Sequence, residues 1–128
     1  MNKFIHIKNF NGLIDQFFNF LDESFPDFRS DFILTRSTIE FIRKSNPRVV
    51  VEQFMNNINP FRRYIRECDE DFFINYELSD LSGTLSRDDF ILGAKLKQIW
   101  VSGRITEQQK AMVFYYFQKL IQAGELCG

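Results

Sequence analysis

Sixteen of the 128 residues are phenylalanine, against four tyrosines and one tryptophan. A phenylalanine ring has no polar atom with which to meet water, so most of these rings have to be enclosed. Their spacing decides what can enclose them. Over residues 10–24, Leu13, Phe17, Phe18, Phe20 and Leu21 recur at helical intervals, while Asp15, Gln16, Asn19 and Asp22 take the other face. This predicts an amphipathic helix, capped by Asn9 or Asn11 and stopped by Pro26.

The same rhythm continues along the chain. Phe28, Phe32, Ile39 and Ile42 predict a second helix over 28–45, with Leu34 and Phe41 near its apolar side. Arg29, Arg36, Arg43 and Lys44 are spaced for solvent, and the last two also suit a helix C-terminus. Asn46-Pro47 ends this helix and starts the next, which carries Val50, Val51, Phe54 and Ile58. Asn59-Pro60 repeats the punctuation before a short helix holding Phe61, Tyr64 and Ile65. Residues 68–85 are irregular, with a loop over Ser79–Ser86. Ser86 caps a helix over 87–101, which Gly103 terminates. Thr106 caps the last helix, over 106–123, and Gly124 ends it. No a/d pattern persists for three heptads, so a coiled coil is not indicated. Residues 1–8 alternate apolar and polar and read as a short extended N-terminal arm. The expectation is therefore all-α: a compact single-domain bundle of five to six helices over 9–124, preceded by the arm over 1–8.

Several chemistries lack their residues. His6 is the one histidine, and a general base would rest on it alone. Cys68 follows Arg62, Arg63 and Arg66 but precedes Asp69, Glu70 and Asp71, which oppose activation of a thiolate. Two cysteines and one histidine, scattered along the chain, do not make a zinc site. An EF-hand register through Gly83 places Asp80, Ser82, Thr84, Ser86 and Asp89 at ligand positions, but puts Leu78 at the first. There is no phosphate loop, dinucleotide fingerprint or nucleophile elbow. The reading is a non-enzyme with no metal and no cofactor. No apolar run reaches membrane-span length, and no signal peptide or lipidation motif is visible. Cys68 and Cys127 are too few for a disulfide scaffold and read as reduced thiols of a cytosolic or nuclear protein.

Binding residues remain. Arg43, Lys44 and Arg48 form one basic cluster. Arg62, Arg63 and Arg66 form a second, interleaved with Phe61 and Tyr64. Basic groups among aromatics suit phosphates and stacked bases. A net charge of −1 removes long-range attraction to nucleic acid, and the acidic run 69–71 can pair with the arginines. Adjacent helical residues cannot share one stripe, so at least one of Tyr115 and Tyr116 is exposed or meets a partner. The pair Phe72-Phe73 is read the same way.

Asn46-Pro47-Arg48, then Val51-Glu52-Gln53-Phe54, Pro60-Phe61 and Asp69-Glu70-Asp71-Phe72-Phe73 occur in an order that resembles small uncharacterised helical proteins of large eukaryotic (nucleocytoplasmic) DNA viruses. The resemblance implies a virion-associated protein of the infected host cell, in cytoplasm, nucleus or particle, whose partners are viral capsid or core proteins. The expected function is a structural or assembly component acting through protein contacts, with Arg43, Arg48, Arg62, Arg63, Arg66, Phe72 and Tyr115 as contact residues and self-association left open. The alternative is a nucleic-acid- or transcription-associated accessory factor using the arginine clusters.

Overall fold

In a computed structural model, which describes residues 3–71 and 96–128, every regular element is helical and no strand occurs among the described residues. The elements are α1 (Lys3–Ser24), α2 (Arg29–Ser45), α3 (Pro47–Ile58), α4 (Arg62–Arg66), helical residues 96–101, and α5 (Glu107–Cys127). Short 3-10 turns at Pro26–Phe28 and Asn59–Phe61 lead into α2 and α4. The all-α bundle follows the sequence pattern. Phe72, the loop Ser79–Ser86, the EF-hand register through Gly83 and the cap at Ser86 lie outside the described residues.

The centre of the bundle is the antiparallel pair α1 and α5, the most extensive packing among the described elements. On α1 the buried residues Ile7, Phe10, Ile14, Phe17 and Leu21 alternate three and four apart. On α5 the buried residues Val113, Phe117, Leu120, Gly124 and Cys127 do the same in reverse. Phe17 meets Phe117 edge-on at 5.2 Å. From that anchor the register sets Phe10 level with Gly124 and Ile7 level with Cys127. Each stripe spans only two heptads, too short to announce a coiled coil alone, but the two match along their whole length. Helix α3 covers one side with Val50 and Val51, and α2 adds Phe32. Among the described residues, Phe4 and Phe41 are the phenylalanines left exposed.

The extended arm is not present. Residues 3–8 are the first turns of α1, and Ile7 is buried. Alternation at Ile5 and Ile7 fits a strand, but a lone strand has no partner for its backbone, whereas one more helical turn adds Ile7 to the stripe. The expected caps fail for the same reason. Asn11 lies inside α1 and is buried. Its Nδ2 donates to the carbonyls of Ile7 at 3.0 Å and Pro47 at 3.4 Å. Its Oδ1 accepts from Arg43 Nε at 2.9 Å.

Helix ends are otherwise where the sequence set them. Asn46 donates its N–H to the Ile42 carbonyl, closing α2, and its side chain accepts from the Arg48 N–H at 3.1 Å, opening α3. Gly103, at φ 74°, follows the helical residues 96–101. Thr106 and Gln109 form a reciprocal capping box at the start of α5. Gly124 is the exception: it does not end α5, which continues to Cys127. It is buried, and a Cβ there would collide with the Met55 thioether. Its missing side chain permits the close approach of α3, not a left-handed turn.

The end of α4 carries an unusual residue. The Asp69 N–H donates to the Tyr64 carbonyl and the Cys68 N–H to the Ile65 carbonyl, at 2.9 and 3.2 Å. This is a Schellman closure, with Cys68 in its left-handed position at φ 53°. A side chain there costs about 1–2 kcal/mol relative to an unstrained backbone. Cys68→Gly is accordingly expected to raise stability by up to about 1 kcal/mol, read as a higher urea midpoint. An unchanged or lower midpoint would mean that the Gln118 amide's 3.4 Å contact to Cys68 Sγ outweighs the strain.

Candidate interaction surface

The arginines sort into three settings. The first is a polar seam between α1 and α2. Asn11, Asp15, Asn19 and Asp22 lie along one side of α1, and Arg43, Arg36 and Arg29 recur at sevens along the facing side of α2. Arg43 Nη1 reaches Asp15 at 3.1 Å and Glu40 at 3.0 Å. Arg36 reaches Asn19 at 3.1 Å, Asp22 at 3.6 Å and Asp15 at 4.0 Å. Arg29 donates to the Asp22 carbonyl at 3.1 Å. The reading of Arg36 and Arg43 as solvent-spaced is therefore corrected: both are half-buried between helices. The seam is not fully satisfied, since Arg43 Nη2, Asp22 Oδ1 and Thr35 Oγ1 are buried without a hydrogen-bond partner among the described residues.

The second setting is the last turn of α5. Arg48 pairs with Glu52 at 3.4 Å. Arg62 pairs with Glu125 and donates from Nη1 to Asn59 Oδ1 at 3.2 Å. Burial pushes the Cys127 thiol up, and the nearby Arg48 charge opposes that push. The third setting is α4, where Arg63 lies 3.8 Å from Glu67 and over the Tyr64 ring at 5.5 Å, and Arg66 is exposed. Two basic clusters of the sequence thus become three separate groups. Four of the five candidate arginines (Arg43, Arg48, Arg62 and Arg63) face a carboxylate of this same chain.

The acidic run takes another partner. Glu70 accepts from Lys110 at 2.8 Å and from the Trp100 indole N–H at 3.2 Å. Lys110, and after it Trp100, hold the Glu70 carboxyl below its usual range. Glu70, followed by Glu107, holds the Lys110 ammonium above its own. A depressed folded-state pKa stabilises above the unfolded value, and the contribution is lost as pH falls through the lower folded value. The emission of Trp100, the one tryptophan, should therefore shift on acidification below the ordinary glutamate value of 4.5. Glu70→Gln should remove that step. A step that persists in the variant would assign it to another carboxylate.

Tyr115 is 46% exposed, with the Lys119 ammonium 5.6 Å above its ring. Tyr116 turns inward against Phe17 and Phe20. The division between the two neighbours follows the expectation.

An exposed apolar stripe on α2 departs from the sequence expectation. On the outer side of α2, Ile33 is 53% exposed, Leu34 54% and Phe41 76%. The signal was present in the sequence. Phe32, Thr35, Ile39 and Ile42 complete the inward stripe at three- and four-residue steps, so Leu34 and Phe41, seven apart, form a separate stripe pointing away. Exposed large apolar side chains grouped on one helix face mark contact surfaces. No helix among the described residues is long and apolar enough to cross a membrane. No group of three or more His, Cys, Asp or Glu able to hold a metal occurs among them. No family model matches the chain, and no curated protein and no solved structure matches it.

Proposed function

We propose that the chain is a non-enzymatic assembly protein that works through protein contacts, with the outer face of α2 as its contact surface. One observation carries this reading. A bundle that encloses most of its described phenylalanines leaves Phe41 and Leu34, seven residues apart, on one outward face of α2, with Ile33 exposed at its flank. Apolar side chains so grouped favour burial against another surface, at roughly 25 cal/mol per Å² removed from water. The pairing of Arg43, Arg48, Arg62 and Arg63 with internal carboxylates weighs against the nucleic-acid alternative, because a neutralised arginine releases fewer counterions from phosphate. The resemblance of residues 46–73 to proteins of large DNA viruses directs the reading to particle assembly, with capsid or core proteins as partners.

The test is cross-linking mass spectrometry on purified particles and infected-cell lysate. Lys44, exposed beside the face, is expected to link to other polypeptides. Phe41→Glu should abolish those links, and a joint Arg62→Ala, Arg63→Ala, Arg66→Ala variant should keep them. Links confined to this chain's own lysines, or lost only in the arginine variant, would reject the reading.

A further inference from the structure

We infer that α2 is a flap: it lifts from α1 and α3 as one unit, hinged at its two ends and held shut by the polar seam, while the rest of the bundle stays folded. The inference concerns the inner side of α2 and does not depend on what its outer face meets.

Apolar packing holds this helix weakly. Of its 17 residues only Phe32 and Thr35 are buried. Ile39 and Ile42 are half-buried, and Leu34 and Phe41 point to solvent. Helix α1, by contrast, encloses Phe10, Phe17, Phe18 and Leu21. The packing of α2 is on α1 and α3, whereas α1 packs most extensively on α5. Lifting α2 therefore leaves the central pair intact. A segment with few enclosed apolar side chains opens at a smaller free energy than the core beside it.

What closes the flap is polar. Arg43 holds Asn11 and Asp15, Arg36 holds Asn19 and Asp22, and Arg29 holds the Asp22 carbonyl. Water can replace each of these contacts when the seam opens. The buried side-chain polar atoms without a partner among the described residues, Asp22 Oδ1, Thr35 Oγ1 and Arg43 Nη2, all belong to these two helices. Closing strips water from them and gives nothing back, so opening recovers their hydration. Phe18 opposes the motion. Its enclosed ring lies beneath the Arg36 guanidinium, 5.9 Å from the centroid, and lifting α2 exposes it.

The ends are built to turn. The 3-10 turn Pro26–Phe28 joins α2 to α1, and Asn46, extended at φ −161° and ψ 101°, joins it to α3. Both are breaks in the helical backbone, so rotation there unwinds neither neighbour.

Native-state hydrogen exchange of the full chain at low urea concentrations tests this. The central amides of α2 should share one opening and exchange at least about a hundredfold faster, relative to their intrinsic rates, than the slowest amides of α1 and α5. Arg43→Met should speed α2 exchange by about tenfold or more. Thr35→Val, which removes an unpartnered hydroxyl and keeps the shape, should slow it severalfold. Leu120→Ala, in the core of α5, should speed the slowest α5 amides by about thirtyfold or more and leave α2 within about twofold, because the flap opens without the core. Central α2 amides as slow as those of α5 overturn the inference. So does equal acceleration of both helices by Leu120→Ala, which would mean that α2 leaves only when the whole bundle unfolds.

Discussion

Phe10→Ala is expected to destabilise the protein by about 3–5 kcal/mol, the largest single effect of any change considered. Phe10 is fully buried. Its ring meets Phe54 edge-on at 5.3 Å, and it stands level with Gly124, which offers no side chain to fill a void. Removing the ring forfeits its transfer free energy and leaves a cavity bounded by helices that cannot close inward independently. Met55, unbranched and adjacent to Gly124, can move partway into the space, which favours the lower end of the range. The measurement is urea unfolding followed by circular dichroism, where the midpoint should fall with little change in slope. A companion change sharpens it. Gly124→Ala forces Met55 aside in the wild-type protein, but in the Phe10→Ala background Met55 has somewhere to go. The second substitution should therefore cost less there than in the parent. A Phe10→Ala cost below about 1 kcal/mol would contradict the α1–α5 register, because a fully enclosed ring cannot be removed so cheaply.

The second large effect is expected at Arg43. Replacing it with Met keeps the packing of the stem but leaves the buried Asn11 Oδ1 without its donor, and Asp15 with only the 4.0 Å contact to Arg36. Hydrogen bonds to charged groups contribute about 1.5–3 kcal/mol. The partial exposure of Arg43 and Asp15, and the already unpartnered Arg43 Nη2, place Arg43→Met near 2 kcal/mol on that scale. Arg43→Lys should recover little of it, because a single ammonium cannot serve Asn11, Asp15 and Glu40 with the planar fork of a guanidinium. Asn11→Leu in the Arg43→Met background should recover more, since it removes the orphaned acceptor instead of replacing its donor. Thermal unfolding of the four proteins reads this directly. If Arg43→Met leaves the midpoint unchanged, the seam is an exposed ion-pair surface and not an interhelical lock.

These two residues show how unevenly the sequence could be read. Phe10 belongs to a residue type whose burial is nearly dictated by its chemistry. Arg43 belongs to a type that normally reaches water, and its spacing with Arg29 and Arg36 was compatible with a solvated face. The matching polar positions of α1, from Asn11 to Asp22, are the information that changes its reading, and they lie on another helix. The contact surface divides in the same way. Tyr115 was legible as the outward member of its pair, because adjacent helical side chains diverge. Leu34 and Phe41 were placed near the core, because an apolar side chain carries no mark of which stripe it belongs to until the inward stripe is filled.

By itself the sequence determined that the chain is helical and where most of its helices break. Those outcomes depend on local causes: the three-and-four apolar rhythm, the proline that cannot continue a helix, the Asn46 and Thr106 side chains that satisfy free N–H groups, and the glycine of residue 103. Only the tertiary structure decided that residues 3–8 are helical, that Asn11 locks three helices instead of capping one, that Gly124 lies within α5 against Met55, and that Arg36 and Arg43 of α2 face α1 while Phe41 faces out. Each of these depends on what a second helix presents at the same level. Hydrogen-bond satisfaction, close packing and ion pairing join residues far apart in the chain, so a pattern read one helix at a time cannot contain them.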